Sequence, residues 1–235
     1  MANKGKYYES QFEKATIELL CEAHWQYAFG DDIHRKYTDP FIEEDLRNFL
    51  AAQYKDKNLT TSEMDSIVAN LRNTGGQNDY YALRNAFLLY RDGYDFAYSD
   101  GRYNPFRLEY IDFEHPDHNV FRCVNQFVME QGRENRRPDI LLFINGIPVC
   151  IIELKNPTKQ NATIRDAHTQ ICMRYMRDIP ALLKYCALAV ISDGAKNALG
   201  TTYTPFEFFY EWKKIENEDT AGKGLDTLRT LIRGA

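Results

Sequence analysis

Between Ile140 and Leu154 the chain is apolar almost throughout, broken midway by Asn145-Gly146 and near its end by Glu153. An Asn-Gly pair between two apolar runs predicts a tight β-hairpin, because both residues tolerate the positive φ that such turns require. The predicted strands are Ile140 to Phe143 and Ile147 to Leu154. Strands apolar on both faces belong in the middle of a covered sheet. Asp139 precedes this block, and Glu153 and Lys155 sit at its end. Charges near a core are costly unless paired, hydrogen-bonded or bound to a metal. These three are therefore the first candidates for chemistry.

Residues two apart on a strand share a face, so Ile151, Glu153 and Lys155 project together. The direction of Asp139 depends on the turn. A two-residue loop pairs Ile144 with Ile147 and position 139 with 152, which sends Asp139 to the opposite face. A three-residue loop with Gly146 in a bulge pairs Phe143 with Ile147 and position 139 with 151. Asp139 and Glu153 then become diagonal neighbours, ~7–8 Å apart at the backbone. The functional reading requires the bulged turn. Two carboxylates on one side suit Mg²⁺, which favours hard oxygen ligands and keeps waters or phosphate oxygens. Such an ion polarises a phosphoryl oxygen and lowers the pKa of a bound water. The Lys155 ammonium would stabilise charge developing on a phosphorane or orient the attacking water. A Glu-x-Lys triplet alone arises about once per hundred-odd residues, and an ordinary surface strand end is its default reading. The Pro-Asp before the hairpin and the apolar strand supply the context that raises it.

Around this hairpin the pattern is mixed. The first ninety residues read as helical. "ESQFEKATIELLCEAHW" places Phe12, Ile17, Leu20 and Trp25 near helical spacing, and "TDPFIEEDLRNFLAAQY" opens with a helix-start signature. "TTSEMDSIVANLRN" begins with hydroxyl caps and is broken by "NTGGQN", and a fourth helix covers Asp79 to Leu89. From Tyr94 onward glycine, proline and β-branched residues replace the helical period. "VFRCVNQFVME" alternates like a strand, "TIRDAHTQICMRYMRDI" reads as a helix ended before Pro180, and "YCALAVIS" as a buried strand. "GLDTLRTLIRGA" reads as an amphipathic helix. Strands and helices in this order predict an α/β fold. We expect one domain over 1–235, with 1–93 mainly helical and 94–235 carrying the sheet.

The net charge of −5 argues against broad electrostatic adhesion to nucleic acid, though not against a local basic groove. Basic residues cluster at Arg133, Arg136 and Arg137 and again at Arg165, Arg174 and Arg177; a solvated face is the alternative. Five scattered cysteines, none in a two-residue spacing, predict reduced thiols and a cytoplasmic location. No run approaches the ~20 apolar residues of a membrane span, so no membrane partner is expected. His115 and His118 in "EHPDHN" lack a suitably spaced Cys or His and are read as a loop. "TAGKG" lacks the spacing and hydroxyl of a phosphate loop.

Taken whole, "RPDILLFINGIPVCIIELKNP" resembles the nuclease motif of the restriction subunit of type I restriction–modification enzymes, a branch of the PD-(D/E)xK superfamily. "DIHRKYTDPFIEEDLRNFL", "RDIPALLKYCALAVISDG" and "GTTYTPFEFFYEWK" resemble the same family in the same order, so the likeness covers nearly the whole chain. It implies a restriction-endonuclease-like core, a central mixed β-sheet flanked by helices, with an N-terminal helical region. It also implies that Asp139 and Glu153, with the carbonyl of Leu154, hold Mg²⁺ (or Mn²⁺ in its place), and that Lys155 is the catalytic lysine. The implied reaction is hydrolysis of double-stranded DNA, one strand per site. Family members carry Gln-x-x-x-Tyr on the next helix, in support of DNA contact and the active site. Here Gln170 and Tyr175 are five apart, one residue too many, which is a 100° shift on an ideal helix. Gln170 carries over directly, and Tyr175 only if the helix bulges; otherwise it packs in the core. Among Glu9, Glu13 and Glu18 of the first helix, Glu13 is our choice to reach the metal. The resemblance further implies modification and specificity subunits as partners, and a longer subunit whose two helicase-like domains move DNA with ATP. Those domains are not in these 235 residues. A stand-alone repair-type nuclease and a nuclease-fold module that only binds DNA or docks partners stay as alternatives.

Overall fold

The computed structural model describes residues 2–155, 163–213 and 225–234, so "TAGKG" lies outside the described residues. Helix α1 (Ala2–Glu22) leads into strand β1 (Gln26–Phe29), followed by α2 (Glu43–Gln53), α3 (Thr61–Arg72) and α4 (Asp79–Asp92). A small hairpin pairs β2 (Tyr94–Phe96) with β3 (Phe106–Leu108). Next come β4 (Phe121–Asn125), the short hairpin β5 (Met129–Gln131) and β6 (Glu134–Arg136), then β7 (Ile140–Ile144) and β8 (Ile147–Leu154). Helix α5 (Ile164–Thr169) continues through a π-helical segment (Gln170–Tyr175) into α6 (Met176–Asp178), and α7 (Pro180–Leu183) follows. Strands β9 (Leu188–Ser192), β10 (Asn197–Gly200) and β11 (Tyr210–Glu211) precede α8 (Leu225–Gly234).

These strands form a seven-stranded sheet in the order β1-β4-β7-β8-β9-β10-β11. It is mixed: β1 runs parallel to β4 and β8 to β9, while the other pairs are antiparallel. One face carries Val124, Leu141, Phe143, Ile151 and Ile191, covered by Ile171, Tyr175, Ile179 and Leu182 of α5 to α7. The other carries Cys123, Ile140, Ile152 and Val190, covered by Leu19 and Leu20 of α1 and by Leu228 and Leu231 of α8. Both faces being covered explains the unbroken apolar runs of β7 and β8. This is the α/β arrangement that the resemblance implies. Helices α2 to α4 and the β2–β3 hairpin build a separate apolar cluster, including Leu46, Ile67 and Tyr90, against Ile147 at the start of β8.

Two of the predicted helix starts hold, and one moves. The start expected at Thr38-Asp39-Pro40 is not used: Asp39 Oδ1 accepts from Phe41 N–H at 3.1 Å in a local turn, and α2 begins only at Glu43, without a side-chain cap. Thr60 caps α3 in a reciprocal box with Glu63, and the Asn78 side chain caps α4. The first ninety residues are not helical throughout, however. "QYAF" forms β1, and four residues are too few to show a period. "VFRCVNQFVME" is likewise two strands rather than one, because Gln126 turns the chain with φ 55°.

The β7–β8 turn corrects the expected geometry. It is a two-residue turn with Asn145 at φ 50° and Gly146 at φ 75°, and Ile144 pairs with Ile147. The bulge lies farther along. Phe143 faces Pro148 but Leu142 faces Cys150, leaving Val149 as the extra residue. Proline has no ladder donor, so pairing is weakest beside Pro148 and the slip is accommodated there. Ile140 consequently faces Ile152, which places Asp139 opposite Glu153. The turn itself is held by its own side chain. Asn145, fully buried, accepts from Val120 N–H at 2.8 Å and donates to Tyr110 O at 3.0 Å and Asn119 Oδ1 at 2.8 Å.

Gly146 is the tightest point of this end, since a Cβ there would sit 2.1 Å from the Ile42 carbonyl oxygen, just before α2. Gly146→Ala adds positive-φ strain to that clash, and we predict a loss of at least about 2 kcal/mol in chemical denaturation. A change within about 0.5 kcal/mol would mean that α2 does not seat on the turn in solution.

Candidate active site

The ends of β4, β8 and β9 and the start of β7 meet at one edge of the sheet, away from the Asn145-Gly146 turn. Gln126 N–H donates to the Asp139 carbonyl at 3.3 Å, tying the start of β7 to β4. Leu154 N–H donates to Asp139 Oδ2 at 2.8 Å, so the backbone of β8 fixes the carboxylate that faces Glu153. Lys155 N–H donates to the Ser192 carbonyl at 2.8 Å and keeps the chain in line with β9. Strand alternation points Glu153 and Lys155 to the side of Ile151, the face covered by α5 to α7.

There the three charged residues meet two from the helix. Lys155 Nζ donates to Glu153 Oε1 at 2.7 Å and to Gln170 Oε1 at 2.8 Å. Gln170 Nε2 donates to the Tyr175 hydroxyl at 2.7 Å, and that hydroxyl donates to the Arg137 carbonyl at 3.5 Å. The extra residue between Gln170 and Tyr175 is absorbed by the π-helical segment, where residues five apart stack above one another. Tyr175 packs in the core with its ring and joins the site with its hydroxyl.

Glu153 is 1% exposed, and among the described residues its Oε2 has no hydrogen-bond partner. Burial first, and the neighbouring Asp139 carboxylate second, push its pKa well above the ordinary carboxylate range, against the pull of Lys155. Burial also raises the Tyr175 phenol, so it stays protonated near neutral pH. Two opposed carboxylates, one with an orphaned oxygen, form a hard-oxygen donor set whose mutual repulsion a divalent cation would relieve.

Glu13 of α1 is held at the end of β4, where its Oε1 accepts from Asn125 Nδ2 at 2.8 Å and Gln126 Nε2 at 2.9 Å. Glu18 is exposed, and the Glu9 side chain lies outside the described ones. The basic clusters divide. Arg136 and Arg177 are held by Asp178 and Arg165 lies near Glu207, whereas Arg133, Arg137 and Arg174 are exposed and form no ion pair among the described residues. One grouping was missed in the sequence, Asp112 beside His115 and His118. Its signal is a carboxylate three residues before the first histidine, outside a search restricted to Cys and His.

Comparison with known proteins adds independent information. The profile of the family described as "Type I restriction enzyme R protein N terminus" matches residues 6–208. The chain is 28% identical over 237 residues to the type I restriction enzyme HindI endonuclease subunit of Haemophilus influenzae, covering 96% of this chain and 22% of that protein. It is 26% identical over 194 residues to the type I restriction enzyme SsaAORF53P endonuclease subunit of Staphylococcus saprophyticus, covering 78% and 19%. With the type I restriction enzyme EcoprrI endonuclease subunit of Escherichia coli it shares 32% over 133 residues, covering 53% and 40%. The chain thus spans about a fifth of the length of the first two.

The raised pKa of Glu153 has a sign that can be tested. A carboxyl whose folded pKa is raised favours folding while protonated, and that contribution is lost as pH rises through the folded value. Glu153→Gln keeps the neutral shape at every pH. In chelator, we predict equal melting temperatures for variant and wild type below the ordinary carboxylate range, with the variant gaining at least about 2 °C as pH rises above it. Parallel curves would show that Glu153 ionises without penalty.

Proposed function

The chain belongs to the family of type I restriction enzyme R protein N termini, and on that premise we propose that it is the endonuclease domain of a restriction subunit. Its reaction would be cation-dependent hydrolysis of phosphodiester bonds in foreign, unmodified double-stranded DNA. The observation that carries this reading is the buried Glu153 opposite Asp139, with Glu153 Oε2 unpartnered among the described residues and a lysine two residues on.

Asp139, Glu153 and the Leu154 carbonyl would hold Mg²⁺ or Mn²⁺. When bound, such an ion polarises a phosphoryl oxygen and lowers the pKa of a coordinated water. The protein's own part is positional. Lys155, with its side chain 12% exposed, offers an ammonium that can hydrogen-bond a non-bridging phosphate oxygen and offset charge as the phosphorane forms. Gln170 fixes the direction of that ammonium, and the protonated Tyr175 fixes Gln170. Tyr175 therefore orients and does not take a proton. Arg137 and Arg174, exposed beside Tyr175, are suited to backbone phosphates, which act locally despite the acidic net charge.

In a longer subunit of this kind, ATP-driven helicase domains would supply DNA movement, and modification and specificity subunits would choose the sequence. Among the described residues no helix is long and apolar enough to cross a membrane. The test uses the full-length subunit assembled with those partners. Lys155→Ala is predicted to lower cleavage of unmodified DNA at least about 100-fold while ATP hydrolysis continues. The 235-residue chain alone is predicted to cut weakly, without sequence preference, or not at all. Undiminished cleavage by the Lys155 variant would favour a module that only binds or docks.

A further inference from the structure

A second group of metal-type donors lies at the other end of the same hairpin. Asp112 is 4% exposed. Its Oδ1 accepts from the backbone N–H of Glu114 at 3.1 Å and of His115 at 2.8 Å. Its Oδ2 accepts from Gln53 Nε2 of α2 at 3.1 Å and lies 3.0 Å from His118 Nδ1. The His115 and His118 rings stack, with centroids 5.0 Å apart and planes 14° from parallel. One ligand atom from each of the three residues lies within 4.8 Å of the others.

Hydrogen bonding accounts for only part of this. His115 Nδ1 lies 3.8 Å from Asp112 Oδ1, beyond hydrogen-bond reach, yet on the side of the carboxylate. An ion bound to nitrogen and oxygen at about 2.0–2.2 Å would bridge that gap. The carboxylate is already positioned, since two backbone donors and Gln53 hold it from behind, as outer partners hold metal ligands. Asn119 closes the loop, accepting from Asp112 N–H at 2.9 Å and donating to the Asp112 carbonyl at 2.7 Å. The two rings, with side chains 62% and 51% exposed, leave room for water in the remaining coordination positions.

We propose that Asp112, His115 and His118 form a binding site for a borderline divalent transition ion of the Zn²⁺ class. Two imidazoles and one carboxylate suit Zn²⁺, Co²⁺ or Ni²⁺ and are a poor match for Mg²⁺. The site is separate from the cleavage centre, because β8 alone spans roughly 25 Å at ~3.3 Å per residue. Its role is structural. Asn119 accepts from the Asn145 side chain at 2.8 Å, so an ion gripping this loop would also brace the Asn145-Gly146 turn and, through Gln53, the end of α2.

The experiment is equilibrium dialysis of the 235-residue chain against micromolar Zn²⁺, with circular dichroism to confirm folding and a melt with and without the ion. Both histidines are exposed, so His115→Ala/His118→Ala should fold. We expect one zinc per wild-type chain, a raised melting temperature with zinc, and neither effect in the double-histidine variant. Asp139→Asn/Glu153→Gln should still bind one zinc. The proposal is overturned if the wild type binds none. It is equally overturned if the histidine variant retains its zinc, or if zinc is lost from the Asp139/Glu153 variant instead.

Discussion

The opposition of Asp139 and Glu153 across the β7–β8 ladder is the constraint on which the candidate cleavage site rests. Antiparallel pairing brings facing side chains to about 5 Å, and two carboxylates at that distance repel unless a proton or a cation comes between them. The Leu154 N–H removes one freedom by fixing Asp139, and the helix covering that face removes Glu153 from water. A buried group left without a partner costs about 1–3 kcal/mol, more if charged.

Both ends of the hairpin are therefore under load, for different reasons. At the turn, Asn145 bonds in three directions and Gly146 presses on the entry to α2, so pairing is fixed from that end. The Val149 bulge then shifts register by one residue, and the shift sets which residue faces Asp139. Without it, position 139 would face 152, and the acids would lie on opposite sides of the sheet. The N-terminal helices matter to the site through this turn, and α1 with β1 contributes directly to the sheet.

Much of this was legible in the sequence because the signals were local. The strands of the hairpin, the Asn-Gly turn, the Thr60 cap and the alternation that groups Glu153 with Lys155 all follow from neighbouring residues. The bulge was expected at the turn, where Gly146 could adopt it, and instead occurs beside Pro148. A proline inside a strand was the available clue, since proline in a sheet marks an edge or a bulge. The spacing of Gln170 and Tyr175 showed that something must give, but only the packing of Tyr175 in the core determines that the helix widens there. Strands β1, β10 and β11 were missed because two to four residues carry no period and owe their form to the neighbours they pair with. Glu13 was read from its helix alone, and the amides that hold it, Asn125 and Gln126 at the end of β4, are too far along the chain for that reading to name.

The most direct test of the central claim is a crystal of this chain soaked in Mn²⁺ and measured at the manganese absorption edge. The account predicts an anomalous peak within bonding distance of carboxylate oxygens from both Asp139 and Glu153, on the side of the sheet facing Gln170. Density for the ion elsewhere, with these two carboxylates turned away from each other and neither touching it, would contradict the account.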